Sequence, residues 1–536
     1  MASIWISVLM LTASSLAPSN AESPDSFGPT LDSARENGPQ IFNAVHNAMR
    51  EFGSALEHNG MSLFPAVIPE GVTLYHGAET RDVPKGPEWL AFEIEHAEAF
   101  AYGRRRPGNG SDGEHPGHRN LALSIQLQEE DEPPRSPPNF IPGYLHVYQA
   151  VRPLNVLYID GTSAGKTNMG TVDTQDILLT NMTNHSDRGP GGDFERADEL
   201  CKLGHEWKID GFIRMEPGFE VIYCDFTDGL RQVSTSQRPP GDDPGNVDNT
   251  SLTMFEWARA AAQRYKGIGS SRVVLDYSSM VSAFFYPINL TNPDPKRPEL
   301  PRLLGASDEE MRVVRGHVGD SVVRSISHRQ APVDWQGVTD MIVARYEKRL
   351  SLIAQADSID LLRDEVNHLL NTYIDYSEVD EEFSAARQRC TEFYLRPAQV
   401  QTPEDHLIYA AIETTAAAIC AALFKARQLT VEDSKSDEST LNAAKEVVVG
   451  LMDTLRWSEW KECGKCQVDE VCFVAMWPFG NVEDHYNPSC LNLSAVAGRH
   501  NYWRDPGKTP GHRPPPQSCA KSHGCQDNND LSNEEL

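Results

Sequence analysis

Short stretches in which apolar and polar residues alternate occupy the chain from Pro65 to about Leu230, with two helix-like segments, Ile94–Tyr102 and Ala197–Trp207, among them. Alternation with a period of two is typical of strands that bury one face. The pattern therefore predicts an α+β domain over residues 61–235 with a mostly antiparallel sheet. The predicted strands are Val72–His76, Trp89–Phe92, Leu121–Leu127, Tyr144–Val151, Val156–Ile159, Gly211–Ile213 and Phe219–Asp225.

A helical period replaces the alternation after a Pro-, Gly- and Asp-rich linker at residues 236–250. Apolar residues then recur at spacings of three and four, as in Thr253–Tyr265 and Asp405–Leu429. Amphipathic helices bury one apolar stripe each by packing against one another. We therefore expect an all-α domain over residues 251–456.

The N-terminus combines an apolar leader with a helical segment. Residues 4–16 are mainly apolar, and Ser19 and Ala21 are small residues at the spacing typical of signal-peptide cleavage before Glu22. We expect residues 1–21 to be a signal peptide and the protein to be secreted to the extracellular space. Residues 22–60 are expected to form an N-terminal helical segment, whose apolar stripe consists of Ile41, Val45, Met49 and Phe52.

Cysteines concentrate near the C-terminus, where six of the ten fall in the last 75 residues. In a secreted chain this clustering indicates disulfide bonds. A zinc site would need a second close ligand pair beside Cys463-Gly-Lys-Cys466, and Cys472 and Cys490 are poorly spaced for that role. We therefore predict a Cys-rich disulfide module over residues 457–525.

The net charge of the chain and its apolar runs argue against two classes of binding partner, nucleic acids and membranes. The net charge of −29 argues against nucleic-acid binding, which needs clustered Lys and Arg. After the leader, no apolar run is long enough to predict a membrane span, so no membrane partner is expected. Six Asn-x-Ser/Thr sequons agree with a secreted glycoprotein. Residues 526–536 are expected to be a disordered tail, and the sequence does not indicate an oligomeric state.

Glu220 is the residue that the pattern singles out for chemistry. In a strand, Glu220 shares one face with Ile222 and Cys224, while Phe219 and Val221 share the other, so both faces are apolar. A carboxylate in such a place either pairs with a partner or lines a cleft, because an unpaired buried charge is costly. It is therefore a candidate catalytic group.

Seven segments resemble, in their order along the chain, the ADP-ribosyltransferase-like fold. They are Leu74–Gly77, Trp89–Phe92, Glu95–Tyr102, Gly143–Tyr148, Arg152–Asp160, Asp210–Ile213 and Glu220–Tyr223. The resemblance covers residues 65–230 and implies a split, mostly antiparallel sheet. It also implies an early strand that carries His-Gly and a late strand that carries a catalytic Glu.

The resemblance further implies a role for each matching residue. His76 and Gly77 would bind the nicotinamide-ribose end of NAD, and Phe100 or Tyr102 would stack on the nicotinamide. Glu220 would stabilise the oxocarbenium-like transition state as nicotinamide leaves. NAD is thus expected as a substrate, with ADP-ribose passing to a protein or small-molecule acceptor, or with nicotinamide simply released.

Two other functions stay open. Gly161-Thr-Ser163-Ala-Gly165 follows a predicted strand and matches the Gly-x-Ser-x-Gly pattern, which would make Ser163 the nucleophile of a serine hydrolase. Through Val471–Phe473 and Trp477–Gly480, the chain also resembles secreted proteins of filamentous fungi with no assigned function. A non-catalytic secreted interaction or effector-like protein is the corresponding alternative.

Overall fold

A computed structural model describes most of the chain. The described residues are 27–104, 140–181, 192–238, 247–327, 333–377, 383–432, 438–496, 499 and 502–503. Several predictions fall outside these residues: the signal peptide at 1–21, the strand Leu121–Leu127, the tail at 526–536, and the cysteines Cys519 and Cys525.

Fourteen strands are formed within the described residues. They are β1 (Asn59–Ile68), β2 (Thr73–Ala78), β3 (Glu88–Ala91), β4 (Tyr102–Arg104), β5 (Phe140–Pro142), β6 (Tyr144–Ala150), β7 (Leu154–Gly161), β8 (Gly211–Glu216), β9 (Gly218–Tyr223), β10 (Leu230–Gln237), β11 (Val274–Leu275), β12 (Val281–Ser282), β13 (Glu470–Phe473) and β14 (Ser489–Asn492).

The α-helices of the described residues fall mainly in the second half of the chain. They are α1 (Leu31–Glu36), α2 (Gly38–Asn47), α3 (Glu51–Leu56), α4 (Ile94–Glu98), α5 (Asp193–Trp207), α6 (Val247–Ala262), α7 (Asp308–Ser327), α8 (Trp335–Ala354), α9 (Ile359–Leu370), α10 (Ser384–Glu392), α11 (Pro403–Glu432), α12 (Glu438–Leu455), α13 (Val482–Tyr486) and α14 (Leu493–Val496). A π-helical turn spans Thr174–Leu179.

The main sheet has ten strands in the order β10-β6-β2-β3-β9-β8-β7-β1-β11, with β12 also paired to β1. Within the described residues, β7 and β8 pair in parallel and the other pairings are antiparallel. The structure therefore confirms an N-terminal domain of sheet and helices, here with a curled mixed sheet, followed by a helical region.

Strand β1 was not predicted, because the helical segment was expected to run to residue 60. Nine of its ten residues are buried, so the run lacks the alternation that marks a half-buried strand. Pro65 in its interior also argues against a central strand, since proline cannot donate a ladder hydrogen bond. The strand nevertheless lies between β7 and β11.

The N-terminal helices belong to the same core as the helical region. Ile41, Val45 and Phe52 are buried, as the apolar stripe predicted. However, α2 packs against α8 and α11, and α3 packs against β7. One continuous hydrophobic core therefore extends from the sheet, through these helices, into the second half of the chain.

Four disulfides cross-link the described residues, as the cysteine usage predicted. They are Cys201–Cys224, Cys390–Cys420, Cys463–Cys472 and Cys466–Cys490. The second of these joins α10 to α11. Over Pro403–Thr430, α11 is long and apolar enough to cross a membrane, but 61% of its most apolar window is buried inside the protein. Such burial is typical of a central core helix.

Candidate functional site

The β8–β9 hairpin places three charged side chains on one face of the sheet. Arg214 and Glu220 are direct register partners, and Glu216 lies two residues beyond Arg214 on the same face. Gly218 closes the hairpin with a φ of +107°, a conformation that glycine adopts without a steric penalty. The predicted burial of Glu220 is confirmed, since its exposed fraction is 4%.

Glu220 is ion-paired rather than open to solvent. Arg214 Nη2 and Nε donate to Glu220 Oε1 at 2.6 and 3.1 Å, and Arg214 itself is fully buried. Arg214 Nη1 also donates to Gln175 Oε1 at 3.1 Å and lies 3.4 Å from Asp193 Oδ1. A buried carboxylate was expected either to pair with a partner or to line a cleft, and the structure shows that Glu220 is paired.

A buried lysine and a histidine extend this pair into a network. Lys166 Nζ lies 3.1 Å from Asp193 Oδ2 and 3.3 Å from Glu216 Oε2. His96 Nε2 lies 3.3 Å from Glu216 Oε1, and its ring stacks on Trp257 with centroids 4.8 Å apart. Five buried ionisable groups around Glu220 therefore balance one another's charge: Arg214, Lys166, Asp193, Glu216 and His96.

The network separates the pKa values of its carboxylates. Burial, and then the neighbouring charge of Glu216, raises the pKa of Glu220 despite Arg214. Burial also disfavours ionised Glu216, but Lys166 and His96 outweigh it and lower the pKa of Glu216. Burial also disfavours ionised Asp193, but Lys166 and then Arg214 outweigh burial and lower the pKa of Asp193 to about 2. Glu220 is therefore the carboxyl of the three that most readily takes up a proton.

His76 does not share a face with Glu220. Tyr75 pairs with Ala91, and Ala91 pairs with Glu220, so these three side chains point to the same side of the sheet. His76 follows Tyr75 and points to the opposite side, where its Nδ1 donates to the carbonyl of Trp89 at 2.8 Å. The sheet therefore separates the two residues that the resemblance would place in one NAD site.

Two of the other residues that the resemblance named, Gly77 and Phe100, lie on the Glu220 side. A methyl group at Gly77 would collide with the carbonyl of Ala97 in α4, so α4 lies against this glycine. The ring of Phe100, just after α4, lies 5.8 Å from the ring of His96. Tyr102 begins β4 and is half-buried. The structure thus brings Gly77, Phe100 and Glu220 to one side of the sheet.

His96, Glu216 and Glu220 could in principle hold a metal ion. One ligand atom from each lies within 4.8 Å of the other two, and all three residues are buried. Imidazole and carboxylate are ligands that suit Zn²⁺ and related ions. However, Lys166 and Arg214 already compensate both carboxylates. The charge of these carboxylates is therefore satisfied by the protein's own cations.

Ser163 lies in a buried turn and its hydroxyl donates to the carbonyl of Ile159 at 2.8 Å. Within the described part of the chain, no imidazole or carboxylate is hydrogen-bonded to it. The residues after Gly165 form turns before the π-helical segment Thr174–Leu179, instead of the helix that follows a nucleophile elbow. The geometry at Ser163 is that of a structural hydroxyl.

A second site is a cleft of about 370 Å³ between the ends of β1 and β7, α2, α3 and the segment after β12. Its charged lining side chains are Glu36, Glu57, Asp160, Glu299 and Arg456. Four carboxyl groups and one guanidinium make the cleft acidic. Its volume lies in the range typical of small-molecule sites.

Asp160 is positioned by an irregularity in the β1–β7 pairing. The register shifts between Asn59 and Leu63, and Ser62 N donates to Asp160 Oδ1 at 2.8 Å. Bulges of this kind re-aim side chains near functional sites. Burial, with a contribution from Glu57, raises the pKa of Asp160 from 3.8 to about 7.

Glu57 is the second carboxyl of the cleft. Its Oε1 accepts a hydrogen bond from Asn43 Nδ2 at 3.2 Å. Burial raises its pKa, while Arg456, Asn43 and Lys461 oppose that shift. The cleft also contains Gln40, whose Oε1 is buried without a hydrogen-bond partner in the described structure. The cleft therefore has two carboxyl groups, Asp160 and Glu57, with different hydrogen-bond partners. It also has one acceptor, Gln40 Oε1, to which a ligand could donate a hydrogen bond.

Sequence reasoning missed Asp160, Glu57 and Arg214 as site residues. The signal for Arg214 was local, because a turn at Pro217-Gly218 places it opposite Glu220. Asp160 and Glu57 are brought together by the packing of α3 beside the end of β7, which no local pattern indicates.

In sequence comparisons, the chain is similar to proteins of yeast. Residues 26–250 match a family model described as the YPL277C N-terminal domain. The uncharacterized protein YOR389W of Saccharomyces cerevisiae is 27% identical over 84% of this chain and 83% of its own length. The uncharacterized protein YPL277C of the same yeast is 36% identical over 37% of this chain and 43% of its own length. No solved structure matches. The chain is thus similar to YOR389W over most of both lengths.

Proposed function

We propose that the chain is an acid–base hydrolase whose substrate occupies the acidic cleft. The observation that carries the proposal is Asp160, a buried carboxyl in that cleft whose pKa is raised to about 7. A group that is protonated near neutral pH can act as a general acid, and carboxyl groups tuned in this way occur at catalytic sites.

Glu57 completes the proposal as the second carboxyl. Glycoside hydrolysis uses one protonated carboxyl as proton donor and one carboxylate as nucleophile or base, and its transition state gains positive charge. Asp160 is the donor in this assignment and Glu57 is the carboxylate; burial raises the pKa of both, but at Glu57 Arg456 and then Asn43 oppose that rise. The excess of carboxyl groups disfavours anionic substrates, so we propose a neutral, polyhydroxylated substrate such as a short oligosaccharide.

Turnover of a panel of 4-nitrophenyl glycosides tests this function. We expect the wild-type protein to release nitrophenol from at least one of them. D160N, which keeps the shape of the side chain but cannot donate the proton, should reduce kcat by about 100- to 10,000-fold. E57Q should also reduce kcat. An absence of turnover across the panel between about pH 4 and pH 8 contradicts the proposal.

S163A is the matched control for this experiment. Because Ser163 donates to a backbone carbonyl, its replacement should leave turnover unchanged. Loss of turnover in S163A with retention in D160N would contradict the assignment of Asp160 as the proton donor. Circular dichroism of each variant shows whether a loss of activity is a loss of folding.

NAD cleavage by an ADP-ribosyltransferase-like domain is a second candidate function. The observation in its favour is that Gly77, Phe100 and Glu220 lie on one side of the sheet. Nicotinamide release from NAD should then be lost in E220Q and reduced in F100A. H76A should retain it, because His76 points to the other side. If the wild-type protein releases no nicotinamide, NAD cleavage is excluded. Hydrolysis in the acidic cleft and a non-catalytic interaction then remain as candidate functions.

Secretion and glycosylation belong to this proposal as the setting of the activity. Export of the full chain, cleavage before Glu22 and a shift in mass after glycosidase treatment are the expected results. The N-terminal sequence and mass of the exported protein test all three. A product that stays inside the cell with Met1 attached would contradict the secreted setting.

A further inference from the structure

Four cysteines converge at one point of the C-terminal module. Cys472 and Cys490 are register partners on β13 and β14. Cys463 is bonded to the first and Cys466 to the second. The sulfurs of Cys463, Cys466 and Cys490 lie within 4.8 Å of one another, although they do not all belong to one disulfide. These three sulfurs therefore form one cluster, and Cys472 is joined to it by its disulfide to Cys463.

We propose that in the reduced protein these four cysteines bind one Zn²⁺ ion as a tetrathiolate site. Structural zinc takes four Cys ligands in a tetrahedron with Zn–S distances of about 2.3 Å, which separates neighbouring sulfurs by roughly 3.8 Å. Three of the four sulfurs already lie within 4.8 Å of one another, close to that separation. The Cys463-Gly-Lys-Cys466 segment supplies the close ligand pair typical of such sites.

Pairing of β13 and β14 supplies the second ligand pair. Cys472 and Cys490 are separated by 17 residues in sequence, and this spacing had argued against zinc. Directly opposed residues of antiparallel strands lie about 5 Å apart, however, so the fold makes them neighbours. The backbone N–H of Cys463 also donates to the sulfur of Cys472 at 3.1 Å, a contact that stabilises a thiolate.

The strands that carry the cysteines are held by contacts other than the disulfides. Val471 and Phe473, which flank Cys472, are buried in a hydrophobic cluster with residues of α6. Tyr265 also donates its hydroxyl proton to the carbonyl of Cys472 at 2.6 Å. Reduction therefore leaves β13 anchored. The three clustered cysteines are half-buried, so a reductant and a metal ion can reach them.

A dithiol reductant supplies the electrons and protons that convert the two disulfides into four thiols. Each disulfide takes two electrons and two protons from one dithiol, which becomes a disulfide, and four thiols result. Binding of Zn²⁺ then releases their protons, since thiolates are the ligands. The same cluster is thus a pair of disulfides under oxidising conditions and a zinc site under reducing ones.

Cobalt binding tests the proposal, because tetrahedral Co²⁺ bound to thiolates absorbs visible light. The full chain is used with C519S and C525S, so that these two cysteines cannot supply ligands. After reduction with a dithiol and its removal, we expect one Co²⁺ per chain, displaced by Zn²⁺. The oxidised protein should bind none.

Two variants make the result specific. C466S and C490S should each abolish the four-thiolate spectrum. C201S/C224S removes a buried disulfide outside the cluster and should leave the spectrum unchanged. Reduced protein that takes up no Co²⁺ would overturn the proposal, whether it stays folded or unfolds, and so would an unchanged spectrum in C466S.

Discussion

Arg214 donates two hydrogen bonds to a single oxygen of Glu220, directly across the β8–β9 hairpin and with both side chains buried. Removal of one member of such a pair leaves the other as an uncompensated charge in the protein interior. The stability of the sheet therefore depends on this pair, whatever its part in chemistry.

R214M should lower the free energy of unfolding by about 3–5 kcal/mol, because Glu220 is then buried without its partner. Urea denaturation measures the change. R214M/E220Q should regain part of the loss, since the amide carries no charge. R312M removes an exposed arginine paired with Glu309 and should have no measurable effect. Equal effects of R214M and R312M would contradict this account.

G218A should destabilise the protein more than G71A does. Both glycines have positive φ, at +107° and +89°, so each alanine pays a backbone penalty of about 1 kcal/mol or more. A methyl group at Gly218 would also lie 3.1 Å from Glu93 Oε2 and 3.3 Å from His96 Nδ1, whereas Gly71 has open space. Thermal denaturation of the two variants measures the difference. Equal losses would mean that the cluster around Gly218 yields without cost.

Protonation of Asp160 should make stability depend on pH. Its pKa rises from 3.8 in the unfolded chain to about 7 in the folded protein, so folding favours the neutral form. The stabilisation is complete below pH 3.8 and is lost as pH rises through about 7. The wild type should therefore lose ~4 kcal/mol relative to D160N over that range. Parallel curves for the two proteins would show that folding does not raise the pKa of Asp160.

His46, like Asp160, should make the fold more stable at low pH than at high pH. Burial alone lowers its pKa, but hydrogen bonds to Asp340 and Glu459 outweigh burial, and the folded pKa lies above 6.5. The contribution is therefore present below about pH 6.5 and is lost as pH rises through the folded pKa. Chemical denaturation of the wild type and H46Q should show stabilities that converge above that pH. A gap that widens with pH would contradict the raised pKa.

The sequence was most informative where one face of an element is buried and the other is not. Alternation located β2 and β6, and the 3.6-residue period located the helices of the second half. It failed for β1, which is buried on both sides and contains a proline. At Phe219–Asp225 the apolar run correctly indicated a strand, but it did not indicate that a hairpin folds Arg214 back onto Glu220.

The two sites differ in how far local sequence could indicate them. Burial of Glu220 followed from the apolar residues on both sides of it. The opposite directions of His76 and Glu220 follow from pairing registers, which a list of strands does not contain. The raised pKa of Asp160 depends on a bulge and on Glu57, which is remote in sequence. Such features arise only when tertiary packing is fixed.

The burial of α2 against α11 has a consequence for the order in which the protein is made. At 5–20 residues per second, roughly 20 to 70 s of translation separate the two helices. During that interval Ile41, Val45 and the rest of the stripe lack the surface that covers them in the finished protein. A nascent chain that has completed the sheet therefore still presents an apolar helix to chaperones, and release from them must await the second half.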